Sequence, residues 1–291
     1  MKPPHATAAE LRRAINSDIL EAVGLSPASP LRAALRPLVW PPVHSFARVA
    51  AEFDRHVAQS GLMDAIRWVL PRFVDGVRAH GAENIPATGP LVVASNHPGA
   101  SDGLAIASCL PRDDLKVVVT DRPFFRGLHA ASSYLIYTPR DTAGRMGVVR
   151  EAIRHLRSGG SLLIFAHGHV EPDPEVAPGA EEALEKWSPS VPLFLRQVPG
   201  AHLVITIVSG VLAPSVLRNP LTRLREDWQG RQLLAEFVQI AQQTLVNRRF
   251  ELVPTVRFGA PLSAGELLAG RDLNAALAAI LDRARELLAD I

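Results

Sequence analysis

The sequence predicts an α/β protein in which a sheet is flanked by helices and preceded by an N-terminal helical region. Strand and helix patterns alternate from residue 77 onward, which is typical of strands covered by helices. Before residue 76 the pattern is helical and is interrupted by prolines. The chain has 291 residues, 47% of them hydrophobic, so it can bury a sizeable core. We therefore expect an N-terminal helical region over residues 1–75 and an α/β domain over residues 76–291.

The N-terminal region is expected to contain helices over residues 8–22, 31–38, 42–58 and 62–73. Residues 31–42 mix arginines and leucines with Trp40. This mixture suits a helix that lies in a bilayer interface, with arginines among the headgroups. A helix packed on the α/β domain, with its arginines in water, is the alternative that the short length and Pro37 favour.

The α/β region is expected to form seven strands and five helices. The strands are predicted over residues 77–79, 91–95, 116–120, 134–137, 161–166, 203–208 and 252–258. The helices are predicted over residues 101–110, 144–157, 180–188 and 231–246, and from 264 to the end.

Polar clusters follow three of these strands. They begin at Asn96, at Tyr137 and at His167, and the second runs to Arg140. Ligands of open α/β sheets gather outside the carboxyl ends of the strands. The three clusters are therefore expected to share one site.

His97 and Asp102 are the candidate catalytic pair. His97 follows the apolar run 91–94, and Asp102 falls in the first turn of the next predicted helix. A turn through Pro98 and Gly99 can bring the two side chains together. A histidine held by a carboxylate can take a proton from a hydroxyl. The alternative is an Asp102 that only caps its helix beside a solvated His97, and the spacing alone leaves both open.

Composition excludes several classes of protein. A single cysteine, Cys109, rules out an internal disulfide framework and is expected to be a packed thiol. Aromatic residues make up 5% of the chain and no basic stripe is present, which argues against nucleic-acid binding. No secretory signal and no segment of about 18 apolar residues is found, so any membrane association is expected to be peripheral. Basic residues are nearly all arginine, which suits anionic substrates or lipids and also fits a GC-rich genome.

Four blocks in order resemble the glycerol-phosphate and lysophospholipid acyltransferase superfamily. Residues 96–102 are similar to its first signature, a histidine followed by an aspartate after four residues. Residues 135–140 resemble the second block, which ends in arginine, and residues 163–169 stand where the third block stands. Residues 205–210 resemble the fourth block, and residues 254–259 resemble the closing strand. The resemblance implies a mixed sheet flanked by helices and a divergent bacterial member.

The third block departs from the family pattern. His167 stands where the family usually has glutamate, and Val170 where it usually has arginine. Gly168 is retained, and a carboxylate reappears at Glu171. These differences bear on the acceptor more than on the chemistry, because the first block carries the proton transfer in the family.

The resemblance implies transfer of a fatty acyl group from acyl-CoA or acyl carrier protein to a glycerol-phosphate or lysophospholipid hydroxyl. His97 would be the general base and Asp102 its partner. Arg140, His167, Gly168, His169 and Glu171 would bind substrate, with Arg140 on the acceptor phosphate. The alternative for Arg140 is a surface ion pair with Asp141 or Glu151. Neither a cofactor nor a metal is implied, and the protein is expected in the cytoplasm, peripherally on the inner face of the membrane.

Two other functions remain open on the sequence. His167 and His169 could hold zinc, with an acid on a second metal, as in a metal-dependent hydrolase. That arrangement needs the strand to turn outward, and His202 is the sole later histidine. A non-catalytic lipid-binding relative is the other alternative, against which the intact His97 and Asp102 argue.

Overall fold

The computed structural model describes residues 5–22, 31–139 and 142–291, and it confirms an α/β fold with helices on a mixed sheet. The α-helices are α1 (Ala8–Ala22), α2 (Leu31–Ser60), α3 (Leu62–Val69), α4 (Asp102–Cys109), α5 (Pro123–Gly127), α6 (Thr142–Arg157), α7 (Ala180–Leu184), α8 (Ser190–Gln197), α9 (Pro214–Leu217), α10 (Trp228–Leu245), α11 (Ala264–Leu268) and α12 (Leu273–Ala289). The strands are β1 (Arg78–His80), β2 (Leu91–Ser95), β3 (Leu115–Thr120), β4 (Leu135–Thr138), β5 (Ser161–Phe165), β6 (His202–Ser209), β7 (Thr255–Phe258) and β8 (Leu262–Ser263).

The strands form one sheet with the order β1-β7-β6-β2-β5-β3-β4, and β8 pairs with β6. β2 is central and runs parallel to both of its neighbours, β5 and β6. β7 and β8 pair with β6 in the antiparallel sense, which makes the sheet mixed. Because β2, β5 and β6 are parallel, their carboxyl ends lie on the same edge of the sheet.

The apolar run of β2 follows from its position. All five residues of β2 are buried, so side chains on both faces of the strand need apolar neighbours. Side chains such as Leu156 on α6, Phe194 on α8 and Ile280 on α12 belong to the same buried cluster as Val92 and Ala94. This packing makes β2 a rigid base for the residues that follow it.

The chain divides into two compact units. The helical unit comprises Met1–Asp75, Asp121–Ser133 and Leu212–Leu252, and the sheet unit comprises Gly76–Thr120, Tyr134–Val211 and Val253–Ile291. The predicted change near residue 76, from a helical pattern to alternating strands and helices, therefore coincides with the point where the chain first leaves the helical unit and enters the sheet unit. The sequence did not indicate that two later segments belong to the helical unit.

Helix α2 corrects the prediction of two separate helices. It runs without a break from Leu31 to Ser60, with Pro37, Pro41 and Pro42 inside it. Prolines inside a helix remove hydrogen bonds and cost roughly 3 kcal/mol each, so packing must offset them. Val43, Ala47 and Ala50 are buried at helical spacing, and α2 packs against α1, α3 and α10.

The C-terminal part also differs from the prediction. The single helix expected from residue 264 to the end is replaced by two helices, α11 and α12. A capping box of Ser263 and Glu266 begins α11, and Asp272 caps the start of α12. Between them Gly270 has φ 66°, a left-handed conformation that ends the first helix. Helix α8 was not predicted, and β7 begins at Thr255 rather than at 252.

Within the described ranges, none of the helices has both the length and the hydropathy required to cross a bilayer. Trp40 in the helical unit is 42% exposed, and the guanidinium of Arg12 lies 5.8 Å from its ring centroid.

Candidate active site

The chain leaves β2 at Asn96, whose side chain continues the sheet. Its Nδ2 donates to the carbonyl of Val208 at 2.9 Å, and its Oδ1 accepts from the N–H of Val208 at 2.8 Å. Regular pairing of β2 with β6 stops one residue earlier, at Ser95. The amide therefore replaces the next rung of the ladder and fixes where the following residue begins.

His97 and Asp102 are in contact, as the first of the two sequence interpretations required. His97 Nδ1 lies 2.7 Å from Asp102 Oδ2, and the Asp102 side chain is 2% exposed against 27% for His97. The carboxylate also accepts from the backbone N–H groups of Gly99 and Gly103. Helix α4 begins at Asp102, and the side chain of the preceding residue, Ser101, makes no capping hydrogen bond. Asp102 therefore orders the turn and holds the imidazole at the same time.

The face of the imidazole is also constrained. The rings of His97 and Phe165 stack with centroids 4.2 Å apart and 23° between their planes. Phe165 is the last residue of β5, which pairs with Ser95 at the end of β2. Phe165 was not predicted as a site residue, although an aromatic residue at the end of a neighbouring parallel strand could have indicated a contact with His97.

Glu171 is buried and hydrogen-bonded to the main chain of His97. Its Oε2 accepts from the His97 N–H at 2.8 Å, and its own N–H donates to the His97 carbonyl at 2.7 Å. Its Oε1 accepts from the indole N–H of Trp187 at 3.0 Å. Glu171 is only 2% exposed, and burial raises its pKa to about 7 although both N–H donors favour the charged form.

The prediction that Glu171 touches substrate stays a prediction, and the burial of its side chain argues against it. Its two carboxylate oxygens already accept from protein donors, so a contact with a ligand would have to replace or add to these bonds. Trp187 was not predicted at all, and no local pattern in the sequence pointed to it.

The turn that follows β5 carries three predicted substrate residues, His167, Gly168 and His169. Gly168 and His169 are exposed, and His167 Nδ1 lies 3.2 Å from the His169 carbonyl. Gly168 has φ 78°, and its N–H donates to the carbonyl of Phe165 at 3.0 Å. The Gly168 amide is therefore used inside the turn, and the expected binding of substrate by Gly168 stays a prediction. Partial burial lowers the pKa of His167, which favours its neutral form.

Asp173 is a buried carboxylate with a structural role. It is fully buried and accepts from the N–H groups of Gly210 and Val211, both at 2.8 Å. These groups follow β6, so Asp173 fixes the end of that strand as Glu171 fixes the end of β2.

Two other expectations concern the acceptor and a metal. Arg140 lies outside the described residues. In the part of the chain that is described, no group of three or more His, Cys, Asp or Glu side chains is placed to hold a metal ion. The hydrolase alternative, which needs such a group around His167 and His169, gains no support from this arrangement.

Cys109 is half-buried, its Sγ lies 3.3 Å from the Ala105 carbonyl, and burial raises its pKa, as expected for a packed thiol.

Comparison with known proteins places these residues in a family. Residues 76–187 match the family model described as acyltransferase. A solved structure with a similar fold is the 1-acyl-sn-glycerophosphate (LPA) acyltransferase PlsC from Thermotoga maritima, with 15% identity and a TM-score of 0.48 over 96% of this chain and 98% of that chain. No curated protein matches the chain by sequence. The matched range contains the first three blocks and ends before the fourth. Residues 76–187 are therefore similar to that acyltransferase family, as the resemblance of the first three blocks predicted.

Proposed function

We propose that the protein transfers a fatty acyl group from an acyl thioester to the hydroxyl of a glycerol-phosphate or lysophospholipid acceptor. The thioester is acyl-CoA or acyl carrier protein. The observation that carries the proposal is the 2.7 Å contact of His97 Nδ1 with the buried Asp102 carboxylate at the end of the central strand.

The proton moves through His97. With Nδ1–H held by Asp102, the neutral ring carries its lone pair on Nε2. Nε2 takes the proton of the acceptor hydroxyl while that oxygen bonds to the thioester carbonyl carbon. The tetrahedral intermediate then breaks its carbon–sulfur bond, and the imidazolium returns the proton to the departing thiolate. The products are an ester and a free thiol, so no enzyme nucleophile is needed.

Asp102 stabilises the imidazolium and fixes the tautomer, the role a carboxylate takes beside a catalytic histidine. General base catalysis contributes typically 10²–10⁴-fold, so positioning must supply much of the remaining acceleration. Phe165 and Glu171 restrict the histidine for this purpose.

The acceptor phosphate is proposed to bind Arg140, whose planar guanidinium can hold two phosphate oxygens at once. His167 and His169, on the exposed turn after β5, are the proposed further contacts. The chemistry uses neither a metal nor a cofactor besides the thioester. Peripheral binding to the inner face of the membrane, with an interfacial helix in the N-terminal region, remains part of this proposal. The exposed Trp40 with Arg12 beside it supports it.

The test is acyl transfer by His97→Ala. With long-chain acyl-CoA or acyl carrier protein as donor and lysophosphatidic acid as acceptor, we expect wild-type protein to release thiol and form diacyl product. His97→Ala should lose at least about 10²-fold in rate at an unchanged melting temperature.

His80→Ala is the matched control, since His80 is an exposed histidine on β1. A folded His97→Ala protein with the wild-type rate would end the proposal. Lipid binding without turnover in the wild-type protein would favour the non-catalytic relative instead.

A further inference from the structure

The main chain of His97 lies past the end of the regular ladder. β2 pairs with β5 and β6 only as far as Ser95, so the N–H and C=O of His97 need other partners. Glu171 supplies both, through its carboxylate and its own N–H. One residue of a loop thus makes the two bonds that a neighbouring strand would have made.

The Glu171 carboxylate also accepts a hydrogen bond from Trp187. Glu171 Oε2 faces the His97 N–H and Oε1 faces the Trp187 indole N–H, so both oxygens act as acceptors. A glutamine has one accepting oxygen and one donating NH₂, so it can satisfy only one of these donors. The other donor would face the glutamine NH₂ group, and a buried donor without an acceptor lowers the stability of the folded protein. The arrangement therefore requires an acid at this position.

We propose that Glu171, held by Trp187, is a positioning residue that sets the placement of the His97 imidazole through the His97 main chain. This inference rests on the proposed role of His97 as the base. Asp102 holds the edge of the ring and Phe165 its face, but neither fixes where the backbone carries the side chain. A displacement of about 1 Å in a reacting group can cost roughly 10²-fold in rate.

The position of Glu171 predicts which kinetic constant changes. Glu171 is 2% exposed and bonds the main chain of His97, so it does not touch substrate. Loss of a positioning contact lowers kcat and leaves the binding of donor and acceptor unchanged. A merely structural role would instead lower the melting temperature and the active fraction.

The experiment is a cycle of Glu171→Gln, Trp187→Phe and the double variant. We expect Glu171→Gln to lower kcat roughly ten- to a hundredfold, with the KM of each substrate within about twofold. Trp187→Phe removes the second donor, so the glutamine oxygen of the double variant is available to the His97 N–H. The double variant should therefore have a higher kcat than Glu171→Gln, close to that of Trp187→Phe. Glu182→Gln, the same change at an exposed residue of α7, is the matched control and should behave as wild type.

Melting temperatures are measured for all variants, and kcat is taken well below them. If Glu171→Gln alone does not fold, Glu171→Leu in the Trp187→Phe background replaces it, and it should lose about tenfold in kcat relative to the double variant. A wild-type kcat in folded Glu171→Gln, or losses that add in the double variant, would overturn the inference. If His97→Ala stays active the proposed function itself fails, whereas inactive His97→Ala with fully active Glu171→Gln rejects only the role of Glu171.

Discussion

The two segments that follow β2 and β5 lie at the same edge of the sheet and differ in how they are held. After β2, the Asn96 amide bonds β6, Asp102 is buried against the histidine, and Glu171 bonds the His97 main chain. After β5, residues 167–169 form a turn whose glycine and second histidine are exposed. The first segment is held by groups from three parts of the chain, whereas His167 and Gly168 in the second bond residues of their own turn or of the strand end before it.

The difference matches the two tasks of the proposed acyl transfer. Proton transfer needs a base fixed to within a fraction of an ångström, and buried polar groups that are fully bonded provide this. Acceptor recognition needs exposed groups that can meet a charged headgroup. The first segment also carries the residues that resemble the family's histidine–aspartate signature, while the exposed turn departs from the resembled pattern at His167.

The largest effect is expected from Asp102→Asn. An asparagine amide facing His97 Nδ1 favours the tautomer with the proton on Nε2, which cannot act as a base. We expect kcat to fall about 10²–10⁴-fold and leave a small residual activity. Steady-state kinetics with each substrate varied in turn measures the change.

Asp173→Asn is the control for that substitution, because Asp173 is equally buried and accepts the backbone N–H groups of Gly210 and Val211, which follow β6. It should lose about 1–3 kcal/mol of stability and little activity. Equal losses of activity in the two variants would mean that burial, rather than contact with the base, is what matters.

A second effect concerns pH and stability. Burial raises the pKa of Glu171 to about 7, above its ordinary value of 4.5, so the folded state binds this proton more tightly than the unfolded state. Stability therefore falls as pH rises from about 4.5 to 7, by about 3 kcal/mol, and is constant above that range. Urea unfolding between pH 4.5 and 8 should show this extra slope in wild type and not in Glu171→Gln. Parallel curves for the two proteins would contradict it.

The smallest effect is expected at the exposed turn. His167→Ala and His169→Ala should each raise the acceptor KM less than about tenfold and leave kcat near wild type, because exposed contacts contribute little. Activity should also survive prolonged chelation. Stoichiometric zinc that is lost with both histidines would instead favour the hydrolase and would remove the contrast between the two segments.

The sequence predicted local elements well where local and tertiary preferences agree. β2 has its predicted bounds, and α1 has its predicted bounds of Ala8 and Ala22, because the apolar run and the helical periodicity suffice there. The three prolines of α2 show the opposite case, since buried contacts at Val43, Ala47 and Ala50 offset the local penalty.

The sequence by itself determined the α/β class and the bounds of β2, and it named His97 and Asp102 as a candidate pair whose contact the structure then decided. These depend on periodicity and on a spacing of five residues, which act within a short stretch of chain. Only the tertiary structure decided that Phe165 stacks on the imidazole. It also decided that Glu171 accepts hydrogen bonds from the His97 main chain and the Trp187 indole. Glu171 is 74 residues from His97 along the chain. Such contacts depend on strand order and burial, which no local pattern encodes, so the buried bonds of Glu171 to the His97 main chain could not be predicted from the sequence.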